Sequence, residues 1–316
     1  MRWAVLLLCL LLAGCGFGEG AERGDVTLTV TRDFGNERLH EGIGTETANE
    51  GSTVMRLLQS NYDVETRYGG GFVQEIDGIA GGRDEGRQAD WFYYVNGIEA
   101  SIGAAERNVT AGERVWWDHH QWEAAQRVPA VVGSFPEPFR TGLEGKRFPV
   151  KLICVGDAER SCDEVQERLE SSGVAAVSRS VVQQSPGTEV LRVFVGRWED
   201  VRGDSVTRRL EDGPGATGVF ARPSSTGDEI VLLDAAGEPV RTLRAGGGLV
   251  AATSVEEQAP TWVVTGTDEV GLAAAAAALT EKRLEHRFAL AVEEGSDVPL
   301  PVTGPPSVDG GTGAEP

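Results

Sequence analysis

Positive charge is scarce in this chain. Its 316 residues hold 49 acidic and 29 basic side chains, a formal net charge of −20, and only Lys146, Lys151 and Lys282 among the basic residues are lysines. So acidic a surface argues against nucleic acid and against anionic lipid headgroups as partners. Histidine is as sparse, with His40, His119, His120 and His286. The run Asp118-His119-His120 is the one metal-like cluster. On a strand, Asp118 and His120 share a face while His119 points away, so at most two of the three converge. That is too few for a closed site, and a solvated strand end is the expectation. The sequence has no Gly-x-Ser-x-Gly elbow, no P-loop and no Cys-x-x-Cys pair. Acidic pairs such as Glu199-Asp200 and Glu256-Glu257 are adjacent in sequence and read as solvated faces, not as a matched acid and base. The chain therefore reads as non-enzymatic, with no metal and no resident cofactor.

Long apolar runs are also missing, except at the start. MRWAVLLLCLLLAGC has a basic Arg2 and an apolar run from Ala4 to Leu12 that is too short to span a bilayer. Leu12-Ala13-Gly14-Cys15 resembles the bacterial lipobox. That resemblance implies cleavage before Cys15, diacylglycerol on its thiol, and a mature chain held at the extracytoplasmic face of the cell membrane. An ordinary export signal with a chance cysteine is the alternative. Residues 1–14 are then the signal peptide and 15–24 a Gly/Glu-rich tether. Cysteine is limited to four residues; with Cys9 cleaved away and Cys15 lipidated, Cys154 and Cys162 form one small-loop disulfide or remain two buried thiols.

What the chain does have is a concentration of aromatic rings. Trp91 to Trp122 holds four of the seven tryptophans and two of the four tyrosines in 32 residues. The segment reads as two strands, WFYYVNG and RVWWDHHQW, the first closed by an Asn-Gly turn signal. Neighbouring strand residues point to opposite faces, so Trp116 and Trp117 cannot share one core. One set of rings must lie on a surface that a ligand, a partner or another layer covers.

Before these strands, Val26, Leu28 and Val30 alternate as a half-buried strand. Thr53 precedes Val54, Leu57 and Leu58 at helical spacing, and Phe72, Val73, Ile76 and Ile79 sit among turn-forming glycines. The pieces VTLTVTRDFG, TVMRLLQSN, YGGGFVQEIDGIAG, WFYYVNG and AGERVWWD, in this order, resemble the transcobalamin C-terminal-like family, also called DUF4430. The resemblance covers about residues 25–122. It implies a β-grasp module of the soluble-ligand-binding type, whose relatives in the vitamin carriers cap one face of cobalamin. The α6/α6 helical barrel of those carriers is missing here.

Residues 123–147 are Pro- and Gly-punctuated and read as a linker or packed connection. From 148 to 296 strands and helices alternate, giving an α/β unit of no recognised family. Within it, Arg192–Phe220 and Trp262–Phe288 look like duplicated βαβ units. Residues 297–316 read as a disordered Pro/Gly-rich tail. The fold class is thus α+β: an N-terminal β-grasp domain followed by an α/β domain with βαβ-like repeats.

The functional expectation is a membrane-anchored extracytoplasmic lipoprotein that binds a soluble ligand, cobalamin or a similar flat molecule, for delivery to a vitamin-uptake transporter. A surface structural or adhesion role is the alternative. Tyr94, Asn96 and Trp116 are the candidate ligand-binding edge, with Tyr68 on a neighbouring glycine loop. Docking of the same face against the second domain stays open.

Overall fold

The computed structural model describes residues 25–40, 45–47, 51–84, 86–175, 177–180, 189–255, 258–293 and 295–303. The expected signal peptide, Cys15, the expected tether and residues 304–316 lie outside the described residues. The chain is a mixed α+β protein with two seven-stranded sheets and two three-stranded ones.

The first sheet is organised by its aromatic strands. Asp25–Arg32 runs parallel to Arg114–Gln121, which pairs antiparallel with Arg87–Val95 and sets Trp116 opposite Tyr94 and Trp117 opposite Tyr93. A parallel pair needs a crossover. Part of it is the helix Val54–Gln59, capped by Thr53, whose hydroxyl accepts from the Arg56 amide at 3.2 Å. That helix buries Val54, Met55, Leu57 and Leu58 against Val26, Leu28, Val30, Trp91, Tyr93 and Trp117. The Asn-Gly signal is used as expected: Asn96 and Gly97 both have left-handed φ, 54° and 76°, between strands Arg87–Val95 and Ile98–Glu99. A three-stranded sheet, Val64–Arg67, Phe72–Ile76 and Ile79–Ala80, packs beside them.

The second sheet has the strand order Val177–Ser180, Val150–Cys154, Leu191–Arg197, Thr261–Gly266, Gly248–Thr253, Ala289–Glu293, Ser296–Leu300. The first four are parallel and the rest antiparallel. Helices Glu159–Ser171 and Glu269–Ala278 cover one face. The alanine-rich second helix approaches very closely: a Cβ on Gly271 would meet the Gly247 carbonyl oxygen at 2.1 Å. The opposite face packs on short helices between residues 198 and 217, on the sheet Ala221–Pro223, Ile230–Leu233, Pro239–Leu243, and on the first unit.

Two sequence expectations change and a third is narrowed. The two look-alike units are not equivalent βαβ repeats. One continues into a single helix that, with Leu272 and the following Leu279, faces one side of the sheet, the other into short helical turns whose Val201 and Leu210 face the opposite side. Gly203, Gly213 and Pro214 interrupt that second segment, which is why similar apolar spacing gives different structures. Of the two readings of residues 123–147, linker or packed connection, the second holds, because Val128, Ala130, Val131, Val132, Phe135 and Phe139 are buried. The expected tail begins too early: Ser296–Leu300 is an edge strand paired with Ala289–Glu293.

Candidate functional site

The aromatic strands have two buried faces. Trp91, Tyr93, Val95 and Trp117 lie under the helix of the first unit. Phe92, Tyr94, Trp116 and His120 lie on the opposite face, and there the second unit covers them. Phe288, at the entry to strand Ala289–Glu293, is the hub. Its ring centroid is 5.1 Å from Phe34, 5.6 Å from Tyr94, 5.2 Å from Trp116 and 5.2 Å from His120, all edge-on. Glycines permit this closeness. A Cβ on Gly35 would meet the His286 carbonyl oxygen at 2.1 Å, and one on Gly133 would meet both the Arg287 amide nitrogen and the Trp116 ring at 2.7 Å.

Tyr94 and Asn96 are therefore 0% exposed and Trp116 is 2% exposed. The ligand platform expected from these three residues is filled by the chain's own second unit. Asn96 is a tie, not a ligand contact. Its amide donates to the Thr141 hydroxyl at 3.1 Å and to the Gly142 carbonyl at 2.6 Å, and its oxygen accepts from the Arg114 amide at 2.8 Å. The Tyr94 hydroxyl is buried with no hydrogen-bond partner among the described residues. Burial, followed by the nearby charges of Glu99 and Asp118, pushes its pKa well above the usual tyrosine value.

The Asp118-His119-His120 run is not a solvated strand end either, since all three residues are buried. The Asp118 carboxylate accepts from the Phe34 amide at 3.1 Å, the Gly35 amide at 2.9 Å, the Thr31 hydroxyl, and His120 Nδ1 at 2.9 Å when that nitrogen carries the proton. Thr31 also receives the Trp116 indole N–H at 2.7 Å. Consecutive amides in the left-handed turn Asp33-Phe34-Gly35 thus form a nest around the carboxylate. His119 points to the other face, 5.1 Å from the Trp91 ring, and burial lowers its pKa. Among the described residues no group of three or more His, Cys, Asp or Glu is placed to hold a metal.

Tyr68 is not brought to the other candidates. It is 87% exposed at the tip of the hairpin Val64–Arg67/Phe72–Ile76, beside Phe72 at 37%; Ile102, at 43%, directly precedes Gly103, whose backbone lies against Gly71 of the tip. The Tyr68 and Phe72 rings meet edge-on with centroids 6.3 Å apart. The tip is shaped by left-handed φ at Tyr68, Gly69 and Gly70 (54°, 73° and 94°), and the Gly71 carbonyl lies against Gly103. Phe72 and Ile102 are not among the candidate site residues expected from the sequence, where Phe72 figures only as a strand residue. The signal for Phe72 was present, because it directly follows three glycines and alternates with the buried Val73; Ile102 carries no comparable signal. Elsewhere, a polar recess of about 300 Å³ is lined by Arg32, Glu37, Arg38 and His40 among others, where Arg32 pairs with Glu37 and His40 with Asp77. Cys154 and Cys162 are joined in a disulfide between the end of a strand and the following helix.

With the geometry in hand, comparison with known proteins adds the following. Residues 51–121 match the family profile of the Domain of unknown function (DUF4430), from Gly51, after the first strand, to the end of the last aromatic one. No curated protein matches the chain. One solved structure that it resembles is the crystal structure of a proposed metal-binding protein from Ruminococcus gnavus ATCC 29149. That likeness has 18% identity and a TM-score of 0.25, and covers 31% of this chain and 97% of that one. At that level it carries no argument about what this chain binds.

Proposed function

We propose that the chain is a lipid-anchored, extracytoplasmic, non-catalytic binding protein that meets its partner with the Tyr68–Phe72–Ile102 edge. The observation that carries this reading is the filling of the opposite aromatic face by Phe288, which leaves Tyr68, Phe72 and Ile102 as the exposed large apolar side chains of the first unit among the described residues. Surface contact fits such an edge better than enclosure of a ligand. A mixed sheet whose first and last long strands are parallel neighbours, crossed by one helix, supports the β-grasp reading of this unit. The Leu-Ala-Gly-Cys15 motif supports the anchor.

Capture of a corrinoid for an uptake transporter is the second reading, and on this geometry it has to use the same edge. Calorimetric titration of the full chain with cobalamin and with cobinamide separates the two. Surface contact without a soluble ligand predicts no heat. Saturable heat that Tyr68→Ser abolishes and Trp116→Phe preserves would establish the corrinoid reading, whereas heat lost only on altering Trp116 would overturn the placement of the site.

A further inference from the structure

We infer that the Tyr68–Phe72–Ile102 edge seats in the headgroup–acyl boundary of the membrane that carries the chain's anchor. The inference rests on the lipid-anchored reading of Cys15 and names the partner of the edge proposed above. Its first support is chemical. Tyr68 holds an amphipathic ring outward on a glycine-rich tip, Phe72 and Ile102 add apolar area beside it, and the neighbouring Arg67 is exposed without an ion pair among the described residues. A tyrosine flanked by apolar side chains and one free guanidinium suits an interface whose outer layer is phosphate and whose inner layer is hydrocarbon.

The second support is where the anchor enters. Residues 16–24 separate Cys15 from Asp25, the first described residue of the fold. Even fully extended, the ten steps from Cys15 to Asp25 reach only about 35 Å, so the body cannot leave the bilayer's vicinity. The same loop joins that entry point to the edge. Gly103 lies against Gly71 of the tip, the Met55 and Val54 amides donate to the Ala104 and Arg107 carbonyls, and the Gly112 amide donates to the Asp25 carbonyl. Asp25 and the tip are thus linked through residues 103–112, and a short tether holds the body, this edge included, near the membrane at high effective concentration. With a net charge of −20, the attraction has to come from apolar and interfacial contact and not from anionic headgroups.

The test uses the full lipidated chain in phosphatidylcholine vesicles, with Tyr68→Cys carrying an environment-sensitive nitrobenzoxadiazole label. A second chain carries the label at Val240→Cys, an exposed position of the second unit. The expected result is blue-shifted emission at position 68, quenched by shallow spin-labelled lipid, with water-like emission at position 240. Without the anchor, the Cys15→Ser chain should partition weakly into vesicles, and Phe72→Ser with Ile102→Ser should lower that partitioning by about tenfold. Water-like emission at position 68 in a chain that floats with the vesicles overturns the inference and leaves the anchor standing. A chain that washes off and carries no acyl mass on Cys15 overturns the anchor and the inference together. Label protection by cobinamide in the absence of vesicles assigns the edge to a soluble ligand and also overturns it.

Discussion

Asp118 shows how much one side chain can organise. Its fully buried carboxylate fixes a turn in which Phe34, a bulky residue, has a left-handed φ of 56°, and that turn delivers the Phe34 ring to Phe288. Removing the acceptor strands several buried donors at once. Asp118→Ala should therefore cost about 3–5 kcal/mol, read as a lower denaturant midpoint at unchanged slope. Tyr94→Phe should do the opposite. Its hydroxyl has no partner in a buried site, so the variant should match or exceed wild type by up to about 1 kcal/mol. His286 sets a pH dependence. Burial holds its pKa down at about 4 from an ordinary 6.5, with Glu285 raising it and Arg38 and Arg287 lowering it. Between those values the unfolded imidazole takes a proton that the folded one refuses. Stability due to this group is therefore full above about pH 6.5 and falls toward pH 4, by on the order of 2–3 kcal/mol. Equilibrium unfolding of wild type and His286→Asn should converge with that pH difference, asparagine being chosen because it tolerates the left-handed φ of 57°.

At the scale of elements, much was legible. The strand Asp25–Arg32, the cap at Thr53, the Asn96-Gly97 turn and the two aromatic strands follow from alternation, helical spacing and turn chemistry. Those are local rules, and local rules survive transfer from sequence to structure. The failures were tertiary. Similar Val and Leu spacing after Gly196 and Gly266 had different outcomes, because Val201 and Leu210 are both buried whereas Val270 is exposed and Leu272 takes the inward position instead, on the opposite face of the sheet. Residues 123–147 read as a linker or a packed connection by their prolines and glycines, and Gly133 and Gly142 are sites of close contact. Gly133→Ala would push a Cβ into the Arg287 backbone and the Trp116 ring, and should destabilise by about 1–3 kcal/mol. Gly51→Ala is less informative despite open space around it, since its φ of 78° adds backbone strain of its own. Gly71→Ala is the better reference, having ordinary φ and its nearest neighbour at 3.8 Å, and should change stability little in the same melt.

For the whole molecule, the aromatic joint makes one cooperative body from two sequence-defined units. Rings from Phe34, Phe92, Tyr94 and Trp116 share an apolar cluster with Ile153, Phe194, Phe220 and Phe288. The two units should unfold in a single calorimetric transition in wild type. Phe288→Ala removes the hub and should cost about 3–5 kcal/mol. It should also separate the transition into two and raise binding of a hydrophobic dye as Tyr94 and Trp116 become accessible. A single transition with unchanged dye binding would show that the units are held together elsewhere.

Sequence alone determined that Trp91 to Trp122 must be packed on both faces, because adjacent strand residues cannot point to one core. It also placed the candidate lipid attachment, the acidic surface and the turn residues, all of which depend on residue type and near neighbours. Only the tertiary structure decided what covers the second face. Phe288 lies 172 positions beyond Trp116, and no periodicity within either strand encodes a partner that distant. The same packing moved attention to Tyr68, which the fold leaves in solvent because a left-handed glycine tip gives its ring nothing to rest on except Phe72.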